Sequence, residues 1–208
     1  MNKNLVLFDI IFYVALPLII WNMGREIIGD YYAMLLSSVP GIIYTLIRFM
    51  KTKKWNVTGI FIVSTLTVGV LVDVLSGNAL QLLWNNVYYS FVMSVFFIVT
   101  ILIRKPMALL FALDVVEMQG YNREETRVLF CNPKIYKVYI LITIAMGLRG
   151  LIIGVINSQL IMKYGVDAFD QGIIFKQVVG WVMTGITFFG YLYVMKLSTN
   201  LTDKKISA

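Results

Sequence analysis

One arginine stands alone in a long apolar stretch of this sequence. Arg149 is the only charged residue between Lys137 and Lys163. A guanidinium in hydrocarbon is costly unless it is paired or hydrated, so Arg149 predicts an intramembrane ion pair or a site for an anion or proton. Asp73 is the first candidate partner, because counting about 1.5 Å per residue puts it near the reach of an arginine side chain. Asp30 is the second, and a structural pair is the preferred interpretation.

Near the end of the chain, polar residues occur at a spacing that places them on one face of a helix. Gln177, Thr184 and Thr187 fall on one side of a helix. Such a face can join helices through hydrogen bonds or line a wet cavity, and joining is the preferred interpretation. Earlier in the chain, Gly147, Gly150 and Gly154 put small residues where a neighbouring helix could approach closely, and Gly150 with Gly154 fits the small-xxx-small pattern.

The residue types that most enzymes need are missing. There is no histidine, and Cys131 is the only cysteine, which removes the usual imidazole base, the commonest zinc ligand and any intramolecular disulfide. No glycine-rich phosphate loop, HExxH motif or nucleophile elbow is found. The sequence predicts that the protein is not an enzyme and has neither a cofactor nor a metal. Its formal charge of +7 comes from basic residues beside apolar stretches, which favours lipid headgroups over nucleic acid.

The composition indicates a bilayer as the solvent. Apolar residues make up 59% of the chain and charged residues 14%, whereas roughly a quarter of a soluble domain is charged. A membrane helix needs about 20 mostly apolar residues, and six continuous stretches qualify. They are approximately residues 5–24, 31–49, 57–75, 87–103, 139–160 and 173–197. We therefore predict an all-α polytopic membrane helix bundle of about six transmembrane helices, the first of them retained rather than cleaved as a signal.

The basic residues predict the topology of this bundle. With a cytoplasmic N-terminus, an even number of crossings puts 14 of the 18 Lys and Arg residues on the inner side, as the positive-inside rule requires. The inner residues are Lys3, Arg48, Lys51, Lys53, Lys54, Arg104, Lys105, Arg123, Arg127, Lys134, Lys137, Lys196, Lys204 and Lys205. The outer ones are Arg25, Lys163 and Lys176. Both termini are expected in the cytoplasm, in a single transmembrane domain over residues 1–208 with a cytoplasmic connector at about 104–137.

Two connecting segments have features of their own. In the cytoplasmic connector, the apolar run from 107 to 118 predicts a helix along the inner interface, with Asp114 and Glu117 one turn apart. Asn122 followed by Glu125 resembles a capping box for a second short helix. On the outer side, residues 76–86 are rich in Asn and Gln around Trp84, which predicts a short segment lying at the interface.

Several short motifs, spread over most of the chain, occur in the same order as in a known family of membrane proteins. These motifs are Leu16-Pro17-Leu18-Ile19, Asp30 with Ala33, Thr67 and Gly69, Trp84, Lys105-Pro106, Asn157, and the run from Phe175 to Gly180. In this order the chain resembles bacterial intracellular septation protein A and its multi-pass inner-membrane relatives. It departs from them at Leu82, Leu83, Asn85 and Asn86, where the family tends to have a basic residue beside the outer tryptophan, and in a longer stretch over 106–133.

This resemblance implies a non-enzymatic role in cell-envelope maintenance or division, carried out in the bacterial cytoplasmic membrane. The family has no accepted active site, so no catalytic residue can be transferred. The implied partners are the lipid bilayer and other envelope or division membrane proteins, with a homo-oligomer as an open alternative. The competing hypothesis is a small-solute transporter or channel with Arg149 at a midplane anion or proton site.

Overall fold

The computed structural model of the chain describes residues 8–50 and 56–206. Within these ranges the secondary structure is helical, with no strand. A π-helical turn at Ile11–Ala15 precedes the first α-helix, and a 3-10 turn at Gly165–Asp167 precedes the last. The α-helices are α1 (Leu16–Ile28), α2 (Asp30–Met50), α3 (Val57–Val74), α4 (Ala79–Leu102), α5 (Met107–Met118), α6 (Arg123–Phe130), α7 (Pro133–Tyr164) and α8 (Ala168–Ile206).

Four helical stretches are long and apolar enough to cross a membrane. They are Phe8–Ile28, Val57–Val74, Ala79–Leu102 and Pro133–Thr199. The last has 67 residues and contains both α7 and most of α8. Large apolar side chains on these helices are exposed, among them Ile27 at 82% and Leu102 at 74%. Such a surface is suited to lipid rather than to water.

Most predicted elements are present, with one correction. Residues 76–86 do not form a separate interfacial segment, since α4 begins at Ala79 and includes residues 79–86. The two connector helices are confirmed: α5 covers the predicted range, and Asn122 caps α6 by accepting hydrogen bonds from the amides of Glu124 and Glu125 at 2.9 and 3.3 Å. The predicted beginning of the first helix at residue 5 lies outside the described residues.

Helices α1 and α2 form a tight hairpin. The π-helical turn lies directly before Pro17, where a proline ring would meet the carbonyl of the preceding turn and a wider turn relieves the clash. Gly29 ends α1 at a φ of 80°, a conformation that residues with a Cβ adopt at a cost. Trp21 and Ala33, one from each helix, are fully buried.

The described chain divides into two compact units. Among the described residues, the first comprises 8–50, Gly59–Phe91 and Ile152–Val179, and its core is built around Trp21, with Met34, Leu82 and Val87. The second comprises Asn56–Thr58, Val92–Leu151 and 180–206. Its core packs α5 and α6 against α7, with Leu113, Phe130, Ile135 and Tyr139 buried.

Two of the three glycines predicted to permit close helix approach, Gly147 and Gly154, lie at such contacts. In the second unit, a Cβ on Gly147 would lie 3.4 Å from the carbonyl oxygen of Ser94 on α4. In the first unit, a Cβ on Gly154 would lie 2.7 Å from the ring of Phe91. Since real Cβ contacts are not that short, α7 and α4 pack as closely as they do because Gly154 has no side chain.

We expect Gly154→Val to destabilise the protein by about 1–3 kcal/mol, because the added atoms force the Phe91 ring out of its position. Gly185→Val on α8 is the matched control, since a Cβ there meets nothing within 4 Å. Thermal unfolding of the detergent-purified protein measures both. Equal midpoints for the two variants would contradict the close approach at Gly154.

Candidate functional site

Arg149 lies near the middle of α7, on the second unit. It is 16 residues after Pro133 and 15 before Tyr164, so each helix end is about 23 Å away. The side chain is exposed, and its Nη2 would be 3.5 Å from a Cβ placed on Gly180 of α8. Among the described residues of this unit, no carboxylate lies within 4.0 Å of the guanidinium. The predicted pairing of Arg149 stays a prediction.

The predicted polar face is divided between the two units. Thr184 and Thr187 belong to the second, and their hydroxyls donate to carbonyls of their own helix: Thr184 to Gly180 at 2.8 Å, and Thr187 to Met183 at 2.8 Å. These hydroxyls are therefore used within α8. Gln177 belongs to the first unit, where its side chain is half-buried.

Asp73 is held by polar groups of its own unit. Asn86 donates through Nδ2 to Oδ1 of Asp73 at 2.7 Å and to the carbonyl of Leu82 at 3.1 Å. The hydroxyl of Tyr31 donates to the backbone carbonyl of Val74 at 2.7 Å, which fastens α2 to the end of α3. Lys176 on α8 interacts electrostatically with Asp73, and this interaction is longer than a salt bridge.

Asp30, the second predicted partner, binds an arginine close to it in sequence. Arg25 donates through Nε to Oδ1 of Asp30 at 3.2 Å and through Nη1 to Oδ1 of Asp167 at 2.7 Å. Its guanidinium also lies 4.5 Å from the ring centroid of Trp21, a cation–π distance. Trp21 in turn donates through Nε1 to Oδ1 of Asp170 at 3.1 Å. The network ties α1 to the turn that opens α8.

A third polar cluster fastens the connector to α3 in the second unit. Oδ2 of Asp114 accepts from the amide and the hydroxyl of Thr58, at 2.6 and 2.7 Å, and its Oδ1 accepts from Nη1 of Arg123 at 2.6 Å. Arg123 also binds Glu117 at 2.7 Å. The hydrogen bond that Arg123 donates to Asp114 raises the pKa of Arg123, and partial burial opposes this rise. Asp114 caps α3, since the first amides of a helix lack partners within it.

The sequence did not select three residues of the first unit as chemical candidates: Asn86, Lys176, and Asn157, which is buried on α7. The sequence places Lys176 on the outer side by charge alone, and Asn157 enters only as part of the resemblance. Asn86 stood in a stretch interpreted as an interfacial segment. The available signal was the same for all three: a polar residue inside a stretch apolar enough to span a membrane, where each such group needs a partner.

The side chains of the described sites can bind charged or polar groups and hold helices together. No group of three or more metal-ligating side chains occurs in the part of the chain that the structure describes. The clusters contain arginine, lysine, carboxylates and amides, which hold charges and hydrogen bonds. They fit the placement of helices and the recognition of a charged or polar group.

Comparison with protein-family models, curated proteins and solved structures finds no match for this chain. The resemblance to intracellular septation protein A accordingly stays a prediction, carried by the short motifs alone. Over residues 8–50 and 56–206 the chain is helical, and four stretches are long and apolar enough to cross a membrane.

Proposed function

We propose that the protein is a multi-pass protein of the bacterial cytoplasmic membrane, with six crossings and both termini in the cytoplasm. Two observations support six crossings. The 67-residue stretch Pro133–Thr199 is interrupted by the turn at Gly165–Asp167 and is long enough for two. Helix α2, with 21 residues, supplies the remaining one. The distribution of Lys and Arg supports the orientation.

Its function, in this proposal, is non-enzymatic: the protein acts in cell-envelope maintenance or division through contacts with other membrane proteins. The observation that carries this proposal is Arg149, which is exposed at the centre of a long apolar helix with no carboxylate of its own unit beside it. An arginine at the centre of a membrane helix costs about 3 kcal/mol or more when nothing compensates it. A carboxylate on a helix of another membrane protein would provide that compensation.

The surface around Arg149 fits such a contact. Gly180 lies under the guanidinium, and Thr184, one turn further along α8, is exposed. Small and hydroxylated residues are common where membrane helices pack, because they allow a close approach and leave few bulky groups in the way. We call Arg149, Gly180 and Thr184 the Arg149 face.

A second candidate function rests on the same arginine. In a transporter or channel, Arg149 would hold a small anion or a proton relay at the bilayer centre, and water in a cavity would compensate the charge. The two candidates differ in what meets the guanidinium: a protein carboxylate in the first and a hydrated solute in the second.

Photocrosslinking in native membranes tests the contact. A photoreactive benzoylphenylalanine in place of Thr184 is expected to give a defined product of higher mass with one membrane protein. Arg149→Leu is expected to reduce this product by about tenfold, equivalent to about 1.4 kcal/mol of lost contact energy. Arg149→Lys is expected to retain part of it, since the positive charge remains.

The same photoreactive group in place of Phe189 is the matched control. Phe189 is also on α8 and is 70% exposed, but it faces away from Thr184. Products of equal yield at the two positions, or a Thr184 product that does not depend on Arg149, would contradict the contact. Arg149-dependent uptake of an anion into proteoliposomes, without any crosslinked protein, would instead support the second candidate.

A further inference from the structure

The turn after α4 holds two basic residues at positions that usually have residues of other types. Arg104 has a φ of 58°, in the left-handed region. Its amide donates to the carbonyl of Ile101, and the amide of Lys105 donates to that of Thr100, both at 2.9 Å. These two bonds form a Schellman motif, which usually has glycine at the position of Arg104 and an apolar residue at that of Lys105. We call Arg104 and Lys105 the α4 basic pair.

The left-handed conformation of Arg104 has a cost that glycine would avoid. A Cβ in this region crowds the backbone, so residues other than glycine adopt it rarely. Arg104 is the exception in the described part of the chain, where the other residues with a positive φ are Gly29, Gly77, Gly120 and Gly165. An arginine held in this conformation indicates that its side chain has a use.

A favourable interaction with the end of α4 does not account for the position of Arg104. Cations stabilise a helix from its last turn, where the backbone is helical and has no such cost. The last turn of α4 contains no basic residue. The basic pair instead follows Leu102 and Ile103, two apolar side chains that are 74% and 58% exposed.

The length of α4 puts the basic pair in the headgroup layer of a bilayer. The helix has 24 residues and is about 36 Å long, whereas the hydrocarbon layer is about 30 Å thick. In the proposed orientation the pair lies at the inner surface, directly after exposed apolar side chains. An anionic lipid has the complementary order, with a negative phosphate next to acyl chains.

The backbone on both sides of the basic pair is held in place. The Schellman bonds fix it to α4, and Pro106, which follows the pair, is fully buried. The amide of Ala108 then donates to the hydroxyl of Thr143 at 3.2 Å. Both cations are exposed, and no carboxylate among the described residues of their unit lies within 4.0 Å of either. The two charges are therefore positioned but not neutralised, which lowers the cost of ordering them when an anion binds.

We propose that the α4 basic pair binds the phosphate of an anionic membrane lipid, whose acyl chains lie along Leu102 and Ile103. The guanidinium offers a planar pair of donors to the phosphate oxygens, and the ammonium next to it adds a second positive charge. The exposed apolar side chains favour a lipid over a free phosphate ion. The inference rests on the proposed membrane location and orientation, and it does not depend on the Arg149 face.

Native mass spectrometry of the full chain, purified in detergent, tests this proposal. The probe is phosphatidylglycerol, and zwitterionic phosphatidylcholine is the reference lipid. We expect one phosphatidylglycerol to bind in preference to phosphatidylcholine, and Arg104→Gly to weaken this binding by about tenfold. Arg104→Lys should retain part of the binding, since the charge remains. Arg127→Gln is the matched control, because it removes an exposed cation of the same unit that already has a partner, Glu124, at 3.9 Å.

The thermal unfolding midpoint of the lipid-free protein provides a second readout. Because glycine adopts the left-handed conformation without the cost of a Cβ, we expect Arg104→Gly to raise this midpoint by about 2–4 °C while it weakens lipid binding. A lower midpoint would show that the Arg104 side chain serves the fold, and would overturn the proposal. Equal binding of the two lipids, binding of inorganic phosphate in place of lipid, or an equal loss in Arg127→Gln would also overturn it. Purification of the chain from cells without detergent would instead contradict the membrane location itself.

Discussion

Asp114→Ala is expected to lower the free energy of unfolding by about 3 kcal/mol. Asp114 is 1% exposed and accepts three hydrogen bonds, two from Thr58 and one from Arg123. Removing a buried carboxylate from its partners costs about 3–5 kcal/mol. The lower end applies here, because Arg123 is partly exposed and keeps its bond with Glu117. Chemical denaturation of the detergent-purified protein measures the loss.

Two further variants separate the parts of this effect. Asp114→Asn keeps an oxygen for Thr58 and removes the charge that faces Arg123, so about half of the loss is expected. Glu117→Ala removes the other partner of Arg123. The Glu117 side chain is 50% exposed, and a surface ion pair contributes about 1 kcal/mol at most. If Asp114→Ala proved no more harmful than Glu117→Ala, the cap on α3 would have no energetic importance.

The cap on α3 also illustrates what the sequence could predict of the connector. The apolar run from 107 to 118 predicted α5 correctly, because helical propensity and length are local properties. The sequence pattern places Asp114 on a helix that lies along the interface. Its actual role depends on Thr58, 56 residues earlier in the chain. A local sequence pattern does not show that two residues so far apart in sequence lie close together in space.

The prediction of a separate interfacial segment at residues 76–86 is wrong for a similar reason, because the partners of its polar side chains are not visible in the local sequence. The Asn and Gln residues there indicated a segment outside the apolar helix, but each has a partner that permits a helix. Asn78 accepts from the amide of Gln81 at 2.8 Å and caps α4. Asn85 donates to the hydroxyl of Ser76 at 2.9 Å and Asn86 to Asp73. Polar side chains that are paired in this way do not end a membrane helix.

The candidate sites were predicted less completely than the helices. A charge in an apolar run is visible in the sequence, and this signal selected Arg149. The partner of such a charge is set by tertiary packing. Asp30 binds Arg25, five residues away, whereas Lys176 and Asn157 line the same cleft only because α7 and α8 turn back on each other at Gly165–Asp167.

Trp21→Ala is the second large effect, and we expect it to destabilise the protein by about 3 kcal/mol. Trp21 is fully buried in the first unit, packs on Phe169 at a centroid distance of 5.0 Å, and donates to Asp170. In a lipid solvent, burial of an apolar ring gains little by itself. The loss arises from the cavity left behind, from the hydrogen bond and from the contact with Arg25.

A matched tryptophan and a conservative variant test this reasoning. Trp181→Ala on α8 removes a ring that is 45% exposed, so it leaves no cavity and only a small loss is expected. Trp21→Phe keeps most of the packing and removes the donor to Asp170, which should cost about 1 kcal/mol. Thermal unfolding midpoints of the three variants, measured in the same detergent, give the order of their stabilities. In lipid, burial of a ring contributes little unless its removal leaves a cavity or breaks a bond. Equal losses of stability in Trp21→Ala and Trp181→Ala would therefore show that Trp21 does not join α1 to the beginning of α8.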